Sequence, residues 1–303
     1  MIHVRPHCGP DTIPTVKTLI DVAVPILTFL MLATVGLSLE AADFARLRRQ
    51  RGVVLTGLLV PLLVLPALAV VLIRIFDPPP AVAGGLLLVA ACPIGGISNF
   101  YSSLARASAA LSVTLTGLSC LIAGATIPAL GLFFERVLKF PLGLSAPLPL
   151  LLTQLFFILL LPVSLGMWLR HRYPSWTVRH RDGIQRGGLT VIAMLMAVAV
   201  VVDPGRFAVE SLSIVPMAAV FIVLSFALGW VSGVVIGAED RDRFTLAVEF
   251  ATRNVAIAVA IAVTLLERIE FANFATIYLL TETPLMLLAV WAYRARTAAR
   301  AVA

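Results

Sequence analysis

The chain has 303 residues, of which 60% are hydrophobic and only 13% charged. Soluble domains carry about 25% charged residues, so an ordinary water-soluble protein is excluded and a polytopic membrane protein is implied. The formal charge of +7 does not signal nucleic acid, because the arginines gather in short polar segments between apolar runs, where positive residues orient membrane proteins.

Residues 1–17 (MIHVRPHCGPDTIPTVK) are polar and lack the apolar stretch of a signal peptide. They read as an extracytoplasmic tail. His3, His7 and Cys8 could in principle meet at a metal, but a frayed terminus explains them better. The three cysteines (Cys8, Cys92 and Cys120) make no disulfide framework and no CxxC pair.

A membrane-crossing helix needs about 20 apolar residues. Nine such stretches follow, at 18–38, 52–75, 81–106, 108–134, 147–169, 187–203, 209–236, 243–266 and 272–293. The sixth is short. With the N-terminus outside, the inner loops and the tail 294–303 carry fifteen arginines and the outer segments seven basic residues. That bias predicts a multi-pass cell-membrane protein with a cytoplasmic C-terminus. The segment RHRYPSWTVRHRDGIQR, with its arginines and tryptophan at a membrane edge, reads as a cytoplasmic anchor rather than a nucleic-acid patch.

The third span breaks at Cys92-Pro93-Ile94-Gly95-Gly96, and Ser98 and Asn99 follow at once. Lipid cannot satisfy freed backbone groups, so such a break survives only inside protein or against a water-filled cavity. Many secondary transporters build substrate and ion sites from interrupted helices of this kind. Span four places Ser112 and Thr116 on one face, with Ser119 on a neighbouring stripe. Span eight carries Glu249, Thr252, Arg253 and Asn254 at mid-membrane. A lone charge at a helix centre there costs roughly 2.5–3.5 kcal/mol. On a continuous helix Glu249 and Arg253 would pair at i,i+4; a buried ion pair that only locks helices is the bland alternative to a functional role, which intramembrane ionisable groups have more often than not. Span nine holds Glu282 among Thr281, Thr283 and Pro284, either ionised and paired with Arg253 or protonated. Spans three and eight run antiparallel, which suits an inverted repeat whose two broken helices cross. The neutral oxygens of spans three and four, with one carboxylate, suit a hard cation such as sodium.

CPIGGISN followed by LARxxxALSVTLT, and EFATRNVAIA further on, resemble the two crossover helices of the bile acid:sodium symporter family. The likeness runs over about 18–293 and is to the nine-helix form. It implies an all-α fold with a core domain and a panel domain, the panel formed by spans 18–38, 147–169 and 187–203. It also implies transport of an organic anion by alternating access, coupled to sodium. Carried over by resemblance, the first sodium site comprises Ser98, Asn99, Ser112, Thr116 and Glu249. Asn254 falls near the family's substrate site, and Gly96 and Thr281 flank the same region.

Several positions depart from the family pattern. Pro61 and Arg253 stand where the family has glutamines of a second sodium site, Ala251 replaces a glycine, and Glu282 replaces a polar residue of the cavity. Guanidinium is a permanent cation with donors only and cannot ligate sodium. The expected function is therefore a secondary active transporter with sodium at one site and Arg253 in the second. The alternative is a sodium-independent uniporter, exchanger or proton-coupled carrier using Arg253 and Glu282, with Arg253 gripping a substrate carboxylate. An enzyme is disfavoured, since all four histidines lie outside the spans. No cofactor other than sodium is implied, and the expected partners are the bilayer and a small organic anion. No motif specifies the substrate or an oligomeric state.

Overall fold

The computed structural model describes residues 26, 29–30, 32–37, 50–137, 139–140, 153, 157, 160–177, 179–180, 183–184, 187, 190 and 204–302. The N-terminal tail, parts of the first and fifth spans and nearly all of the sixth lie outside the described residues.

Nine helical segments are described: α1 (Arg51–Phe76), α2 (Pro80–Ala91), α3 (Ser98–Leu104), α4 (Ala109–Arg136), α5 (Leu161–Arg172), α6 (Pro204–Val235), α7 (Asp240–Ala251), α8 (Val255–Ala260) and α9 (Ile269–Val302). These are not nine spans. Arg51–Phe76, Ala109–Arg136, Ala208–Val235 and Ile269–Ala299 are each long and apolar enough to cross a membrane, while Pro80–Ala91 and Val255–Leu265 are shorter apolar helices. The protein is a helical, multi-pass membrane protein. Its outer surface is apolar as lipid demands: Leu63, Leu212, Val235, Leu288 and Trp291 are all well exposed.

Local chemistry explains where the helices start and stop. α1 ends at Asp77, which adopts the left-handed conformation (φ 43°) while its N–H donates to the Ile73 carbonyl. Proline residues 78–80 then begin α2, with Pro80 at its first position, where a missing N–H costs nothing. Pro61 and Pro66 lie inside α1 and are buried. From Val82 to Ala91 every residue of α2 is buried, as expected of a helix apolar on all sides. It packs against α1 and α9, while α6 packs along α7 and α9. Phe221, Phe250, Phe271, Phe274 and Tyr278 fill the centre of this core.

The first and fifth spans meet backbone to backbone. A Cβ on Gly36 would lie 2.1 Å from the Val163 carbonyl oxygen, and one on Gly166 would lie 2.1 Å from that of Ala33. Small residues permit this approach, and close packing is what holds helices together in lipid.

Both predicted interruptions are present. The third span divides into α2 and α3, separated by residues 92–97, and the eighth into α7 and α8, separated by residues 252–254. α7 ends at Ala251, so Glu249 and Arg253 do not share a helical face and the i,i+4 pair of a continuous helix is not formed. α8 runs on as a wider turn over Ile261–Leu265, and Glu267 (φ 53°) then reverses the chain into α9. α9 has 34 residues, about 50 Å at 1.5 Å per residue, against a hydrocarbon core of about 30 Å. It therefore includes most of the predicted tail. Near its far end Arg296 reaches Asp240 at 3.6 Å and lies over the Trp230 ring, and Tyr293 stacks on Phe244.

Candidate functional site

The two interruptions cross and pair. Ile94 and Arg253 face each other as a short antiparallel bridge. The Gly95 N–H donates to the Thr252 carbonyl at 3.1 Å, and the Asn254 N–H donates to the Pro93 carbonyl at 2.8 Å. Glycine is required at position 95, because a Cβ there would lie 2.5 Å from the Arg253 carbonyl oxygen. Side chains satisfy further backbone groups that the breaks set free. The Ile94 N–H donates to Ser119 Oγ (3.2 Å), Tyr278 donates its hydroxyl to the Ala251 carbonyl (2.6 Å), and Arg253 Nη2 donates to the Cys92 carbonyl. Asn254 caps α8 by accepting from the Ile257 N–H at 3.2 Å, the usual service of an asparagine at a helix start. This satisfies much of what a break at membrane depth requires.

Beside the crossing, side-chain oxygens from three helices converge. Glu249 lies in the last turn of α7, fully buried. Its Oε2 accepts from Ser98 Oγ (3.0 Å) and Thr116 Oγ1 (3.4 Å), and its Oε1 accepts from Ser112 Oγ. Asn99 Oδ1 lies 2.8 Å from Ser112 Oγ and 3.4 Å from Thr116 Oγ1. Ser98 Oγ is in turn 3.5 Å from Ser112 Oγ and 3.3 Å from Thr116 Oγ1. All five residues named from the sequence thus come together. Ser98 and Asn99 open α3, and Ser112 and Thr116 occupy one face of α4.

Proton counting describes what this cluster can hold. Six side-chain oxygens share three hydroxyl protons. Each hydroxyl has one proton and two lone pairs, and an ionised carboxylate only accepts. Lone pairs far outnumber protons, and an ionised Glu249 would add a negative charge among them. Hard cations are bound by such all-oxygen donor sets. Among the described residues no group of three or more His, Cys, Asp or Glu could hold a transition metal.

The remaining predicted residues lie at or near the crossing. Arg253 is buried, with its guanidinium turned onto the Cys92 carbonyl. Glu282 of α9 is fully buried. Gly96 is half-buried, and a Cβ on it would approach Val35 of the first span at 3.8 Å. Thr281 donates its hydroxyl to the Ile277 carbonyl of its own helix, whereas its neighbour Thr283 lies 3.4 Å from the Tyr101 hydroxyl of α3. Pro61 lies within α1. Sequence reasoning missed Tyr101 and Tyr278. The available signal was a hydroxyl-bearing aromatic in an apolar span, which usually has a hydrogen-bond partner when buried.

The profile of the Sodium Bile acid symporter family matches residues 25–212, more than half of the chain. The chain belongs to this family. A stretch of 123 residues is 32% identical to the sodium-dependent transporter YocS of Bacillus subtilis, covering 41% of this chain and 38% of that protein. The rice protein named "Probable sodium/metabolite cotransporter BASS2, chloroplastic" is 28% identical over 78% of this chain and 55% of its own length. The rat sodium-dependent organic anion transporter is 23% identical over 96% of this chain and 78% of its own length. The match thus spans 38% of YocS and 55% of the rice protein.

Proposed function

We propose that the protein is a secondary transporter that moves an organic anion by alternating access, with one sodium ion bound by Ser98, Asn99, Ser112, Thr116 and Glu249. The observation that carries this reading is the buried oxygen cluster beside the paired breaks. Sodium would take the place of hydrogen bonds within the cluster: the three hydroxyls rotate their protons outward and turn lone pairs inward, and Glu249 supplies the balancing charge. Because the cluster joins α3, α4 and α7, an ion there would clamp both interrupted helices in one arrangement. Sodium is a co-substrate in this reading, carried through with the anion.

Arg253 takes the part of a tethered cation where relatives would use a second ion. Its Nη2 donates to the Cys92 carbonyl, and a hydrogen bond from an ionised donor is stronger than one between neutral groups. A fixed guanidinium can therefore hold the carbonyl of the first break without sodium. The anion would bind where Gly96, Asn99 and Asn254 meet the face of the first span, between a core and a panel of which the close pairing of spans one and five forms part. We assign nine spans, an outer N-terminus and a cytoplasmic C-terminus to this carrier on the arginine bias.

Thermal unfolding of the detergent-solubilised protein in sodium against choline chloride tests the reading. Sodium is expected to raise the melting temperature saturably, because a ligand that binds only the folded state stabilises it. Glu249→Gln should remove that rise. Equal melting in both salts for the wild type would reject the sodium assignment.

A further inference from the structure

Next to the oxygen cluster lies a second buried polar group for which the sodium assignment has no use. Neither carboxyl oxygen of Glu282 has a hydrogen-bond partner, and Arg253 Nε, Arg253 Nη1 and the Thr252 hydroxyl are equally without one. The titratable groups around Glu282 are Tyr101 on α3, Tyr278 one turn earlier on α9 and Arg253 in the second break. Beyond Arg253 lie Glu249 and Cys92. Thr252 adjoins Glu282 as well, and α6 meets α9 there through Phe221 against Tyr278.

The two tyrosine hydroxyls that could support a carboxylate point elsewhere. Tyr278 donates to the Ala251 carbonyl and Tyr101 to Thr283 Oγ1. Glu282 is thus buried without a hydrogen bond, beside an unpaired Thr252 hydroxyl and an Arg253 whose Nη2 is engaged with the Cys92 carbonyl. Charge balance sharpens the point. With one sodium at Glu249, an ionised Glu282 offsets Arg253 and the buried core is neutral. An organic anion that engages Arg253 upsets this balance. It leaves Glu282 uncompensated in a low-dielectric interior, where a lone carboxylate is very costly.

We propose that Glu282 is a proton-exchange site: it takes up a proton when an organic anion engages Arg253 and returns it when the anion leaves. The anion then crosses with one proton in addition to the sodium at the first site. A proton leaves water and bonds to one Glu282 carboxylate oxygen, and on the other side of the membrane the same O–H bond breaks and the proton returns to water. No electrons are transferred. The inference rests on the carrier reading above, and it deepens it by naming the coupling group.

Infrared spectroscopy of the protein in phosphatidylcholine vesicles, titrated through the neutral pH range in sodium, tests this without a known substrate. The wild type, with Arg253 free to balance it, should keep Glu282 ionised through most of that range, its carboxylic-acid C=O stretch appearing only towards the acid end. That band should be missing in Glu282→Gln and displaced in frequency in Glu282→Asp. In Arg253→Gln, removal of the fixed cation should let the band persist to higher pH. An Arg253→Gln protein with no Glu282-dependent band at any pH in that range overturns the proposal. A band whose midpoint is unmoved by Arg253→Gln overturns the link to the anion site. Sodium-induced stabilisation of the same wild-type preparation reports on the carrier reading separately, so the two failures are distinguishable.

Discussion

Two carboxyl groups are buried within one crossing, and they are treated in opposite ways. Glu249 accepts from three hydroxyls, whereas Glu282 accepts from nothing. The first arrangement is preorganised: each hydroxyl that donates to Glu249 also carries lone pairs that a cation could use. The second is left open beside an arginine whose Nε and Nη1 are equally unsatisfied. Buried polar groups in native proteins nearly always have partners.

Several substitutions put this contrast to the test. The largest effect belongs to Glu249→Gln, which removes the one negative charge of the oxygen cluster and places amide donors among lone pairs. Sodium-dependent melting should vanish, as read by thermal unfolding in sodium and in choline. Next comes Gly95→Val, which drives a side chain into the Arg253 carbonyl. Overpacking of this kind costs about 1–3 kcal/mol, and because the crossing carries both carboxyl sites, stability and sodium response should fall together. A variant with normal melting and normal sodium response would show that the crossing tolerates a side chain.

Arg253→Gln acts on the contrast itself. It replaces a fixed cation with a group that can ligate sodium, so the sodium dependence of stability should become steeper, with a second ion contributing. An unchanged sodium curve would remove the tethered-cation role. Ser112→Ala is expected to weaken apparent sodium affinity by roughly tenfold, about 1.4 kcal/mol, while leaving the ion response present. The smallest expected effect is that of Tyr278→Phe, which deletes one donor to the Ala251 carbonyl, about 1 kcal/mol, measurable as a lowered melting temperature in both salts.

Much of the site was legible before any coordinates. Glycine and proline beside small polar residues marked the first break, and Glu249 with Asn254 marked the second, because polar groups at membrane depth have few structural excuses. The five oxygen-bearing residues were found through the family resemblance together with their chemistry, and they do come together. Thr281 shows what was less legible. Position within α9 alone could not separate it from Thr283, and the difference depends on which face meets α3.

Hydropathy, helix breakers and side-chain chemistry are local properties, so repeated membrane crossing, the interrupted helices and the available oxygens can be read from the chain alone. Tertiary packing settles the rest: the two breaks pair through Ile94 and Arg253, Gly95 makes their contact possible, Arg253 turns to a carbonyl and not to Glu249, and Glu282 forms no hydrogen bond. The pairing of the breaks and the turn of Arg253 to Cys92 join segments more than 140 residues apart in sequence, and no local propensity encodes such a meeting.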